Sequence, residues 1–182
     1  MHGNLIHVPP SELHALTSPW PFSVWGVDVI GKVFLKSSNG REYILVAIDY
    51  FTKWVEAASY ASLTTAKVAK FIRSHIICRY RTPHKLISDR GVHFRGEVDT
   101  LVQEYGIQHH RLSTYRPQTN RTVEAVNKNI KKILQKMVET SQNWSKKLPF
   151  ALWAYRTSFC ISIGATPFSL VYGMETILPV EI

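Results

Sequence analysis

Val24-Trp25-Gly26-Val27-Asp28-Val29-Ile30 is an apolar, β-branched run broken only by a glycine and an aspartate, and it reads as a central strand buried on both faces. Working outward, Ser37-Ser38-Asn39-Gly40 is a turn signal. Tyr43–Asp49 is then a second strand and Lys53–Ala58 a third, giving an antiparallel meander. Upstream, residues 1–18 hold Pro9, Pro10 and the start of Ser18-Pro19 without sustained periodicity, and read as a leader or linker. Downstream, the spacing predicts a helix from Thr64 or Thr65 to Arg79, buried through Val68, Phe71 or Ile72, and Ile76. Pro83 ends that region. A short strand over 84–88 stops at Asp89-Arg90-Gly91, a helix covers 95–105 up to Gly106, and 107–112 is the fifth strand.

Pro117 holds Arg116 extended, and Asn120 is a good N-cap for a helix running from Arg121 towards Thr140. Its apolar face is Val126, Ile130, Ile133 and Met137; Glu124, Lys128, Lys131 and Gln135 fall on the opposite face. A last long helix, Trp144 to about Thr157, carries Trp144, Leu148, Leu152 and Tyr155 on one stripe, with Pro149 predicting a kink or a late start. Gly164–Gly173 holds a turn and a short helix. The order of elements implies an α/β fold, a mixed sheet flanked by helices.

The totals bound the function. With 182 residues the chain suits one domain with a real core, and 45% hydrophobic against 19% charged content is that of a folded protein. Lys and Arg number 22 against 13 Asp and Glu, a net charge of +9 that favours polyanionic partners such as DNA or RNA. No apolar run reaches the ~18–20 residues of a spanning helix, and the first residues lack a signal peptide's charged start, apolar block and cleavage site. No membrane role is expected. Cys78 and Cys160 stand far apart, too few for a zinc framework or a disulfide scaffold. His109 and His110 are adjacent and would point to opposite faces of a strand, so they cannot share an ion. No zinc is expected in this chain.

Three carboxylates stand out, each with a bland explanation beside it. Asp28 interrupts an apolar strand, where an ionised group is costly unless paired or coordinated, although a nearby arginine or backbone group would satisfy it. Asp89 enters a glycine-containing turn at a strand end, where active sites gather and where ordinary turn aspartates are also common. Glu124 opens a helix face whose lysines could hold phosphates, or could simply be solvated.

Taken in order, the segments resemble one family. Trp25-Gly-Val-Asp28, Ser88-Asp-Arg-Gly91 and Tyr115-Arg-Pro-Gln-Thr-Asn120 with Val123-Glu124 are similar to the DDE core of retroviral-type integrases, and 35 positions separate Asp89 from Glu124. Asp49-Tyr-Phe-Thr-Lys-Trp54, Ala154-Tyr-Arg-Thr157 and Pro167-Phe-Ser-Leu-Val-Tyr-Gly173 resemble the gypsy-type LTR retrotransposons, above all those of plants. The resemblance covers residues 19–182 as a catalytic core. It implies a ribonuclease-H-like fold, a five-stranded mixed sheet flanked by helices, with Asp28, Asp89 and Glu124 brought together as catalytic and metal-binding residues.

The implied chemistry is metal-dependent DNA 3′-end processing and strand transfer. Two Mg²⁺ or Mn²⁺ ions would stabilise the entering and leaving oxygens of a phosphodiester, and a few carboxylates suffice to hold such hard cations. The same resemblance implies DNA contacts from Gln118 and Asn120 in the loop before the helix and from Lys128 and Lys131 along it. It also implies element ends and target DNA as partners, a homodimer or higher assembly, and a nuclear location.

Two departures bear on activity. Arg121 stands where relatives usually carry glycine; it stiffens the loop, and its added charge either contacts DNA or marks a lesion. The family's zinc-binding His/Cys module is expected to be missing ahead of residues 1–18, as is a DNA-binding tail beyond Ile182. A true ribonuclease H would place a glutamate in its first helix, and residues 64–80 contain no acidic residue. The reading from another class is a catalytically inactive remnant that serves only as a nucleic-acid-binding or oligomerising module.

Overall fold

The computed structural model describes residues 20–31, 39–112, 125, 128–130, 132–133 and 143–174. Five strands form one sheet in the order β3-β2-β1-β4-β5. They are β1 (Val24–Ile30), β2 (Tyr43–Asp49), β3 (Val55–Tyr60), β4 (Lys85–Ser88) and β5 (Gln108–Arg111). β1, β2 and β3 pair antiparallel, and β4 lies parallel to both β1 and β5. β1 is the central strand, so its near-continuous apolar run is what a strand with neighbours and covered faces requires. β3 begins two residues later than the sequence predicts. Lys53 takes a left-handed φ of 60° and ends the turn, while Asp49 accepts bonds from the Phe22 and Thr52 amides and the Thr52 hydroxyl.

Each sheet face carries its own core. Val24, Ile30, Ile44, Val46, Ile48 and Ile87 meet α3 (Trp144–Arg156) through Trp144, Leu148, Ala151, Leu152 and Tyr155. The other face packs Trp25, Val27, Leu45 and Leu86 against α1 (Thr65–Phe71), the π-helical turns Ile72–Ile77 that continue it, and α2 (Glu97–Glu104). Thr64 caps α1 by accepting the Lys67 amide, a bond worth about 1 kcal/mol. The widened turns, seen in the Cys78 amide reaching the Arg73 carbonyl, explain why Phe71 and Ile72 are both buried where the sequence had offered one or the other.

α3 starts at Trp144 and does not start late. Pro149 lies inside it, and the fully buried Trp144 and the buried Leu148 ahead of the proline anchor the first turns by packing, which compensates for the missing amide. A short α4 (Pro167–Tyr172) follows, opened by Thr166 accepting the Ser169 amide and closed by Gly173 at φ 71°.

The β3 edge is closed by arginines. Arg156 donates through Nε and Nη2 to the Val55 carbonyl at 3.0 and 2.6 Å, and Arg41 Nη1 donates to the Ser59 carbonyl. Arg156 also reaches Glu56 Oε1 at 3.2 Å and lies 4.1 Å over the Trp54 ring. Glu56 is buried and takes Arg79 at 2.8 Å and the Tyr80 hydroxyl at 2.5 Å besides. A buried carboxylate this well paired is structural, and it ties β3 to α3 and to the chain after α1.

Candidate active site

Asp28 sits in β1, half-buried, opposite Val46 of β2. Strand alternation puts it on the face of Val24 and Ile30. One of its oxygens accepts the Val29 amide at 2.8 Å. Its negative charge is felt on that face: burial first, and then Asp28, push the Tyr50 phenol up to about 12.

Asp89 follows β4 directly and is exposed. Gly26 pairs with Ile87 across the parallel β1–β4 ladder. Two residues further along both strands come Asp28 and Asp89, at one level of adjacent strands, which lie about 4.8 Å apart. Alternation continued one residue past Ser88 gives Asp89 the face of Ile87, the face to which Asp28 also belongs. Thus the ladder, continued two residues past its last pair, puts two of the three predicted carboxylates at one level, on β1 and on the chain just after β4.

The turn after β4 holds Asp89 in place. The Gly91 amide donates to Asp89 Oδ1 at 2.8 Å, and a Cβ built on Gly91 would meet that same oxygen at 2.8 Å. Glycine is needed here for close approach; its φ of −55° is open to any residue. In the sequence Gly91 is legible only as a turn residue. Among the described residues Asp89 makes no ion pair.

Glu124, Gln118, Asn120, Arg121 and Lys131 lie outside the described residues. Residues 125, 128–130 and 132–133 are helical, as predicted. Ile130 is fully buried in the same core as Val24, Ile30 and Ile87, and Ile133 packs on it, so this helix lies over the face that carries Asp28. Lys128 and Lys132 are exposed one turn apart. Among the described residues no three His, Cys, Asp or Glu side chains gather as a metal would need. The donor chemistry of Asp28 and Asp89 nevertheless suits a hard divalent cation: two carboxylates at one level of neighbouring chain segments, offering oxygen ligands.

Residues 19–117 match the family model described as the integrase core domain. The chain belongs to the integrase core domain family. The Gag-Pol polyprotein of woolly monkey sarcoma virus is 37% identical to this integrase core over 137 residues, 74% of the chain, and the chain spans 8% of that polyprotein. The crystal structure of the catalytic core domain of BIV integrase superposes with a TM-score of 0.66 at 26% identity, covering 81% of this chain and 92% of that one. The HTLV-2 integrase catalytic core domain, solved in complex with magnesium in a trimeric form, gives 0.66 at 21%, covering 82% and 96%. The five-stranded sheet with its helices is therefore the ribonuclease-H-like fold of integrase catalytic cores. Among the described residues, no helix is long and apolar enough to cross a membrane.

Proposed function

We propose that this integrase core cuts and joins DNA, processing the 3′ ends of a mobile element and transferring them to target DNA. What supports the reading is the β1–β4 register, which continued two residues beyond Gly26 and Ile87 sets Asp28 and Asp89 at one level, on the face covered by the helix of Ile130. Asp28, Asp89 and Glu124 would hold two Mg²⁺ or Mn²⁺ ions, which supply charge stabilisation to the entering and leaving oxygens of a phosphodiester. The magnesium complex of the HTLV-2 core supports that choice of ion. The chain's own part is to hold its carboxylates in place, Asp89 through the Gly91 amide, and to bind phosphate through its basic surface. Lys128 is exposed for that purpose, and Gln118, Asn120, Arg121 and Lys131 join it in the proposal.

The family match begins at residue 19, and we assign residues 19–182 to the core and 1–18 to a leader. The source we propose is a gypsy-type LTR retrotransposon of a plant, on the strength of the Asp49–Trp54, Ala154–Thr157 and Pro167–Gly173 segments. DNA at both ends of the reaction, a dimer or larger assembly, and work in the nucleus belong to the same reading. Arg121, in place of the usual glycine, favours one rival: an inactive remnant that only binds nucleic acid or oligomerises.

A disintegration assay on branched DNA with Mg²⁺ or Mn²⁺ decides between them. Strand cleavage and rejoining that disappears in Glu124→Gln establishes the enzyme. Activity that needs Arg121→Gly identifies a damaged one. DNA binding without cleavage under either metal, in both forms, leaves the remnant.

A further inference from the structure

Ser88 is the last residue of β4, and its side chain lies on the sheet face opposite to that of Asp89. It is buried at 3% exposure, and its Oγ stands 2.9 Å from the Asp89 carbonyl oxygen and 2.9 Å from His109 Nε2. His109 belongs to β5, beside Leu86, on that same far face. A serine hydroxyl has one proton, and a carbonyl oxygen can only accept. The proton therefore goes to Asp89, and the imidazole must supply the second bond as an Nε2–H donor. Among the described residues His109 Nδ1 is buried with no partner, and a bare lone pair is the less costly group to leave there than an unpaired N–H.

The result is a relay of donors from His109 through Ser88 to the Asp89 carbonyl. It fixes the peptide plane between Asp89 and Arg90, where the turn begins in which the Gly91 amide holds Asp89 Oδ1. We propose that Ser88 and His109 are positioning residues, aiming the Asp89 carboxylate at its divalent cation from the far side of the sheet. The inference rests on the active-site reading above and deepens it.

The test uses the 182-residue chain and three readouts: Mn²⁺ binding followed by electron paramagnetic resonance, the Mg²⁺ concentration giving half-maximal disintegration, and the imidazole ¹⁵N spectrum. Ser88→Ala and His109→Leu are expected to weaken Mn²⁺ binding and to raise the half-maximal Mg²⁺ concentration about tenfold, the usual scale for a group that orients a metal ligand. Ser88→Thr keeps the hydroxyl, and His109→Gln keeps an N–H donor near the position of Nε2. Both are expected to recover most of that loss. The ¹⁵N spectrum at neutral pH should show the Nε2–H tautomer.

A fall in melting temperature with wild-type metal dependence in Ser88→Ala and His109→Leu overturns the inference and leaves the pair purely structural. An Nδ1–H tautomer overturns the relay. A wild-type chain that binds no Mn²⁺, with Asp89→Asn indistinguishable from it, brings down the active-site reading and this inference together. That pattern differs from one in which only the Ser88 and His109 variants are silent.

Discussion

Acidic side chains stand at two places in the sheet, and their surroundings are of opposite kinds. At the β3 edge, Glu56 gathers opposite charge: Arg79 and Arg156 both reach it, and the Trp54 and Tyr80 donors complete its bonds. At the β1–β4 end, Asp28 and Asp89 bring like charge to adjacent strands. The first arrangement satisfies itself and asks for nothing from solution. The second sets two acids at one level of neighbouring chain segments, oxygen donors of the kind a hard cation takes. An acid in a strand is therefore no guide to function until its neighbours across the sheet are known.

The comparison breaks most visibly by mutation. Asp89→Asn or Asp28→Asn removes a charge from the like pair. Each is expected to lower metal-dependent strand transfer at least about a thousand-fold, equivalent to ~4 kcal/mol of transition-state stabilisation, while the melting temperature holds or rises. A marked fall in stability in either variant would show that the carboxylate is structural. Glu56→Gln makes the converse case. It strands two arginines beside a neutral group, and we expect a loss of about 3 kcal/mol, towards the low end for a broken buried pair because Arg79 is half-exposed. For a chain of this size that is roughly a 6–12 °C drop in Tm, read by thermal unfolding. The remaining folded protein should keep its metal dependence.

What the sequence could and could not reveal follows the range of the forces involved. β1 and β2 are legible because a buried strand needs an unbroken apolar run, and their observed bounds agree with the runs Val24–Ile30 and Tyr43–Asp49. β3 was misplaced by two residues because the left-handed Lys53 has no local signature. The widened turns after α1 were invisible for a similar reason: a regular helix of 100° per residue had to choose between Phe71 and Ile72. Asp28, Asp89 and Glu124 stood out singly by their settings and the Glu124 helix by its cap and periodicity; the resemblance joined them, and the β1–β4 register shows how the two aspartates come to one level. The bonds from Arg156 to Glu56 and from Ser88 to His109 join distant parts of the chain, and no periodicity or motif marks them.

Gly91→Ala sharpens the comparison at finer scale. The new methyl group meets the Asp89 carboxylate, the end of a side chain that can turn away, so the fold should lose at most about 1 kcal/mol. The displaced carboxylate should weaken strand transfer by roughly ten- to a hundred-fold, largely recoverable with Mn²⁺, as for a misoriented ligand. Equal losses with both metals would show that the Gly91 contact does not aim the carboxylate.

The smallest effect expected is one of pH. Burial first, and then Arg111, lower the His109 imidazole to about 4, whereas an unfolded chain returns it to 6.5. Between those values the unfolded state binds the extra proton, so stability is full above pH 6.5 and drains away as pH falls towards 4. His109 is only partly buried and solvent screens part of the effect, so the fall should be a few degrees of Tm. His109→Gln, which cannot titrate, should flatten that part of the pH profile. A profile unchanged in His109→Gln would mean that the imidazole is freely solvated, and the far side of the Asp89 turn would lose its buried anchor.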